Sequence, residues 1–296
     1  MIGWRATAHG EALVAEISAP HADEMVGESL AQVEGALPAG ARSRLTEAAG
    51  ADGRQLFTSD LSVNEFLLLR HAGFRPLGLV LGSSIYRLGL SSRLRAGAGE
   101  MKELSQAMYS ARERAMTRME AEADLLGADG VVGVHLDVRL RDFGKNLVEF
   151  VAIGTAIAAD TPGPWRTPAG KPFTSDLSGQ DFWALLQTGY APRGLVLGNC
   201  VYHVGRFASA RAVGQTVEMT GFTQGMYAAR EAAMTRMEAE AVALESEGIV
   251  GVDIEESNHV WGSHVIEFLA IGTAVTPLPD AAPSLLIPHL VLPVEA

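Results

Sequence analysis

The chain has 296 residues, of which 48% are hydrophobic and 20% charged, and carries a formal net charge of −12 from 23 Lys/Arg against 35 Asp/Glu. These values fit a soluble globular chain of about two domains. They argue against a nucleic-acid reader, which needs clustered Lys/Arg, and give no electrostatic pull toward anionic lipid. A single cysteine, Cys200, makes an intramolecular disulfide impossible and fits a reducing, cytoplasmic compartment. The opening residues Met1 to Arg5 lack a basic stretch followed by an apolar run, so no signal peptide is expected. No uncharged apolar stretch is long enough to predict a membrane span.

Residues 1–52 have no internal counterpart. Val26, Leu30, Val33 and Leu37 have helical spacing, which predicts one amphipathic helix ended by Pro38. From there the chain repeats itself. Phe57-Thr58-Ser59-Asp60-Leu61-Ser62 recurs as Phe173-Thr174-Ser175-Asp176-Leu177-Ser178, an offset of 116. Gly78-Leu79-Val80-Leu81-Gly82 recurs at Gly194 to Gly198. A two-residue insertion near Val213 changes the offset to 118; Ala111 to Ala123 then matches Ala229 to Ala241 at 12 of 13 positions, and Glu149 to Ala156 matches Glu267 to Ala274. Chance does not produce this order and spacing. The domains read as an extension at 1–52, copy 1 at 53–157, a proline-rich linker at 158–172, copy 2 at 173–275 and an apolar proline-rich tail at 276–296. The tail is expected to lie as an extended strap on the protein's own surface or to recruit a protein partner.

Within copy 1, Ser62-Val63-Asn64-Glu65 is a capping-box pattern opening a short helix that stops at Gly73. A β-like run follows from Leu77 to Leu88, with Gly82 marking a bulge or a close backbone approach. Thr58-Ser59-Asp60 and its repeat read as capping and turn residues. Gly97-Ala98-Gly99 lacks the third glycine and the Lys-Ser/Thr of a phosphate loop. A long helix runs from about Glu100 to Leu126, with Leu104, Met108, Ala111, Ala115, Met119 and Leu126 as its buried stripe. Arg118 and Glu122 are expected to pair on its outer face. Val132, Val134, Leu136 and Val138 then alternate with polar residues, predicting a strand, and Leu147 to Ile157 returns as a second one. Each copy is therefore a short helix followed by β-α-β-β, an α/β (α+β) unit. One helix over three strands leaves apolar sheet uncovered, so contact with another copy is expected.

Several of these blocks resemble the YbjQ-like family, small domains described as heavy-metal-binding. The matching residues are Ala111-Arg112-Glu113, Met119, Ala123, the run Leu126 to Val134, and Gly154-Thr155-Ala156-Ile157. Copy 2 keeps Ala229-Arg230-Glu231, Gly248 to Val252 and Gly272 to Val275, but has Glu245-Ser246-Glu247 where copy 1 has Gly127-Ala128-Asp129. The resemblance implies a dodecin-like β-α-β-β fold and self-association into rings, typically pentamers of single-domain subunits. For two tandem copies it implies a homo-oligomeric ring of pseudo-equivalent domains or two stacked rings.

The best-kept polar pairs are Arg112 with Glu113 and Arg230 with Glu231. Glu149 and Glu267 stand in apolar strands, where a lone carboxylate is costly, so Arg112 and Arg230 are their expected partners at a ligand or subunit interface. For metal the only candidates are Cys200 and His203; no histidine is repeated between copies and no CxxC or HxxxH exists. No cofactor is expected. Trp183 and Trp261 are candidates to stack on a flat, flavin-like ligand, and Glu113 or Glu149 is the candidate acid/base for an enzyme. No GxSxG and no repeated Ser-His-Asp or Cys-His set points to a catalytic residue. The sequence favours a non-enzymatic, self-assembling scaffold or binding module, with a metal or small-ligand carrier as the alternative.

Overall fold

The computed structural model describes residues 37–48, 56–87, 98–141, 147–204, 218–258 and 265–279. All but Leu37 belong to one compact unit, Pro38–Ala296. In chain order the elements are α1 (Ala39–Ala48), α2 (Val63–His71), β1 (Phe74–Arg87), β2 (Gly99–Glu100), α3 (Lys102–Leu125), β3 (Gly130–Arg141), β4 (Leu147–Ala159), β5 (Phe173–Thr174), α4 (Gly179–Gln187), β6 (Tyr190–His203), α5 (Thr220–Ala243), β7 (Gly248–Asn258) and β8 (Val265–Pro277). The predicted order, short helix then β-α-β-β, is present in both copies. The proposed helix over 25–37 and most of the tail lie outside the described residues. Helix α1, directly after Pro38, was not predicted.

Two four-stranded sheets form, in the orders β1-β4-β3-β5 and β2-β6-β8-β7. Each contains a strand from the other copy. β2, from copy 1, pairs antiparallel with β6 through Gly99↔His203 and Glu100↔Tyr202. β5, from copy 2, pairs parallel with β3 through Gly130↔Phe173 and Val131↔Thr174.

α3 covers one face of the first sheet with Leu104, Met108, Ala111, Ala115, Met119 and Ala123, all buried, while Leu126 is only half-buried. The helix can lie this close because of Gly82. A Cβ there would overlap the Ala115 carbonyl oxygen and the Met119 amide; Gly198 stands in the same relation to Ala233 and Met237. Gly82 thus marks a close approach, and the register shift of β1 lies instead between Pro76 and Gly78.

The alternation predicted for β3 fails at Gly133. The register shifts between Val132 and His135, and Gly133 has φ +65, the left-handed region that glycine tolerates best. Val131, Val132 and Val134 are consequently all buried, and Val138 is exposed. The bulge has a use: its Gly133 and Val134 amides donate to the carbonyls of Leu177 and Ser175, each at 2.9 Å, so copy 2 is anchored there.

Two polar expectations are corrected. Arg118 and Glu122 do not pair. Glu122 is buried and accepts from the Leu81 amide at 3.0 Å, and Arg118 donates to the Ser83 carbonyl. Thr58 and Asp60 do not cap a helix, because strand groups claim them: Thr58 Oγ1 accepts from the Leu79 amide at 3.1 Å, and Asp60 accepts from the Thr155 hydroxyl. The cap itself is Ser62, in a full capping box with Glu65.

Gly82→Ala or Gly198→Ala forces helix and sheet apart. Each is expected to lower stability by about 1–3 kcal/mol, read as a reduced denaturant midpoint.

Candidate functional site

The copies meet where α3 of copy 1 crosses the outer face of the second sheet. Side chains alternate along a strand, so Val196 and Cys200 face α5 while Leu197, Val201 and Glu267 face away from it. The second sheet thereby exposes an apolar surface with one carboxylate in it, and α3 covers that surface. α3 buries Leu104, Ser105, Met108, Arg112, Met116 and Glu122 among others, on more than one face; its repeat α5 buries only Gly225, Ala229, Ala233, Met237 and Ala241. Val201 and Val265 of copy 2 belong to the hydrophobic cluster of copy 1.

At the centre of this joint, Arg112 Nη1 donates to Glu267 Oε1 at 2.8 Å, and both side chains are only 2% exposed. Two charges removed from water must satisfy one another, and each gains a further contact. Asn199 Nδ2 donates to the same Glu267 oxygen at 3.3 Å and to the Ser105 carbonyl at 3.2 Å. The Arg112 guanidinium sits 5.2 Å from the Phe150 ring centroid. Backbone bonds fix the register: the Met101 amide donates to the Val201 carbonyl at 2.8 Å, and the Val201 amide to Ser105 Oγ at 2.9 Å.

At the rim, Arg236 pairs with Glu100 at 2.6 Å and donates to the Asn199 carbonyl, and the Tyr109 hydroxyl donates to Glu240. A cavity of about 520 Å³ opens along this rim, lined by Glu100, Lys102, Tyr109, Asn199, Arg236 and Glu240 among others. Acids crowd beside it. Burial, then the charges of Glu240 and Glu120, push the Glu113 carboxyl up to about 7, against an opposing pull from Lys171. Burial also raises Glu240, and burial with the Glu240 hydrogen bond raises the Tyr109 phenol.

Of the candidate residues, the structure joins Arg112 to Glu267 and leaves the equivalent groups elsewhere. Arg230 pairs with its neighbour Glu231 at 2.9 Å and stacks 4.6 Å over Tyr227, with its side chain 41% exposed. Glu149 is half-buried on β4, opposite Ile85. Glu113 is half-buried on α3 and lies outside the cavity lining. Sequence reasoning missed Ser105, Tyr109, Asn199 and Glu240. Tyr109 and Glu240 are repeated as Tyr227 and Glu122 and were findable as kept polar positions; Asn199 and Ser105 are not, since copy 1 has Ser83 and copy 2 Thr223.

The metal-ligand candidates do not converge. Cys200 and His203 are three residues apart on β6 and so point to opposite faces. Cys200 is fully buried, and its thiol is pushed up to about 12, chiefly by burial, so it is not a thiolate. Among the described residues no three His, Cys, Asp or Glu side chains cluster as metal ligands. The donors among the described residues therefore do not fit a heavy-metal ion. Trp183 is half-buried on α4 and does not line the cavity; Trp261 lies outside the described residues.

Arg112→Ala strands Glu267 in the joint and is expected to cost about 3–5 kcal/mol. Pairing it with Glu267→Leu should recover much of that loss in equilibrium unfolding. Glu113 gives a pH signature. The folded chain holds this proton to about pH 7, whereas an exposed carboxyl releases it near 4.5. Stability should therefore fall as pH rises across that interval and level off above it. Unfolding measured across the interval should show a shallower fall in Glu113→Gln.

Comparison with known proteins places this geometry. The model of the YbjQ family, described as "putative heavy-metal-binding", matches residues 75–160 and again 193–277. Encapsulin nanocompartment protein Rv1762c of Mycobacterium tuberculosis is 46% identical over 244 residues, covering 81% of this chain and 92% of that protein. A UPF0145 protein of Thermoplasma acidophilum is 34% identical over 91 residues, 29% of this chain and 75% of its own length. Another from Natronomonas pharaonis is 43% identical over 60 residues, 20% of this chain and 55% of its own. Two matched regions, each spanning one β-α-β-β unit, mean that this chain belongs to the YbjQ family and carries its domain twice in tandem.

Proposed function

We propose that the chain is a non-enzymatic scaffold that self-assembles head to tail by repeating its internal joint between chains. The observation that carries this is a mismatch between equivalent positions. In copy 2, Leu197 and Val201 are 1% and 0% exposed, with Val201 in the hydrophobic cluster of α3; their counterparts in copy 1, Leu81 and Ile85, are 40% and 50% exposed. On the helix side Met101 is 5% exposed, whereas its counterpart Met219 is 38% exposed and Tyr227, the repeat of Tyr109, is 55% exposed. One end of the chain thus presents the groove and the other the ridge of the same joint. In that arrangement Arg230 takes the place of Arg112, and Glu149 of the next chain takes the place of Glu267.

A joint between two different surfaces propagates until it closes, as a ring, or runs on as a filament. The ring is the form the family resemblance favours. Because the copies of one chain sit side by side in the joint, a ring of whole chains holds an even number of copies. That disfavours a five-membered ring of copies. The name of the mycobacterial relative, a nanocompartment protein, supports an assembling role, and the reading places the protein in the cytoplasm without a bound cofactor. The rim cavity favours one second reading, a small-ligand carrier with a site at each seam.

Native mass spectrometry of the purified chain tests the proposal. A discrete species at a whole-number multiple of the chain mass is expected, and Arg230→Glu should reduce it to single chains. A wild-type chain that stays single at high concentration, or an assembly indifferent to Arg230→Glu and Ile85→Asp, would overturn it. A stoichiometric chromophore on the assembly would favour the carrier.

A further inference from the structure

We infer that helix α1 is a gate on assembly: its Arg44 holds the copy 1 carboxylate that the neighbouring chain would engage, and must release it before that chain docks. The inference rests on the self-assembly reading and concerns its regulation. It starts from one carboxylate that occurs twice. Glu122 and Glu240 are equivalent residues of α3 and α5, and each accepts from the amide of an equivalent leucine through Oε2, Leu81 at 3.0 Å and Leu197 at 2.8 Å. Their remaining partner differs. Glu240 receives the Tyr109 hydroxyl across the joint. Glu122 receives Arg44 of α1, Nη2 to Oε2 at 2.7 Å.

The neighbour's side of that contact is therefore replaced, at the open end, by a segment of the same chain. The Glu122 side chain is 4% exposed, and a carboxylate so far from water needs a charge partner when no neighbour is present. Arg44 supplies it, and the adjacent Leu45 is 4% exposed. In the assembled chain Tyr227, the repeat of Tyr109, would reach this carboxylate.

The gate is built to open. The Arg44 side chain is 51% exposed, and an ion pair with one partner in solvent is weak. α1 is a short helix of 10 residues, and its contacts with the rest of the described chain are mainly with α3. The incoming joint offers more: an apolar face over Leu81 and Ile85, and Arg230 beside Glu149. Glu122 is thereby kept paired by the chain's own Arg44 until a neighbour with the complementary surface arrives.

Two measurements on the full-length chain test the gate. Sedimentation velocity over a concentration series should show assembly of Arg44→Ala at a concentration about two- to five-fold lower than wild type, the worth of an exposed ion pair. Arg44→Lys should stay near wild type. Hydrogen exchange of residues 39–48 should be faster in the assembled wild-type protein than in the single chain. An unchanged or raised assembly concentration for Arg44→Ala, or slower exchange on assembly, would overturn the gate while leaving self-assembly standing. If neither wild type nor Arg44→Ala assembles, both readings fall.

Discussion

The structure depends on a buried ion pair that belongs to neither copy. Arg112 and Glu267 lie 155 residues apart, bonded at 2.8 Å where both are shielded from water. Such a pair gives little net stability over apolar residues of the same size, because desolvation offsets most of the attraction. What it does is make alternatives expensive. If α3 slid along the second sheet, two charges and the Asn199 amide would lose their partners in an apolar surround. Helix, sheet and the strand exchange of β2 and β5 are thus held in one register.

That register explains why each copy donates a strand to the other. β2 precedes α3 and must lie beside β6 if Arg112 is to reach Glu267. β5 precedes β6 and pairs with β3 just before the bulge, and Ser175 and Leu177, which follow it, supply carbonyls to the Val134 and Gly133 amides there. Both exchanges run from one side of a copy to the opposite side of the next. The arrangement is directional, and a directional joint leaves its two halves at the two ends of the chain.

The fold was legible in the sequence because the period of the apolar residues and the duplication report on local structure. Leu104 to Ala123 could only be one face of a helix, and Ala111 to Ala123 recurred almost unchanged. What was not legible came from tertiary partners. Glu122 has the spacing of a surface ion pair with Arg118, yet the Leu81 amide and Arg44 claim it. The alternation from Val132 to Val138 is real in composition but is broken by the left-handed turn at Gly133, which nothing in a period-two pattern reveals. For the site, Arg112 and Glu267 stood out because charges in apolar runs need partners. Their pairing across copies, rather than within one, depends on which face of the second sheet is open, and that is a property of packing. Asn199 was hidden because the copies differ there.

That difference between copies bears on the order of events in the proposed assembly. Asn199 donates to both Ser105 and Glu267 in the internal joint. The equivalent position at the open end is Ser83, whose shorter side chain carries no amide, and the helix side has Thr223 in place of Ser105. The internal joint is the better hydrogen-bonded one, and its halves are tethered, so they meet at an effective concentration in the millimolar range. A joint between chains, as proposed, would lack both advantages. In the proposed assembly a chain would therefore fold onto itself before it associates, and the associating unit would have one groove end and one ridge end.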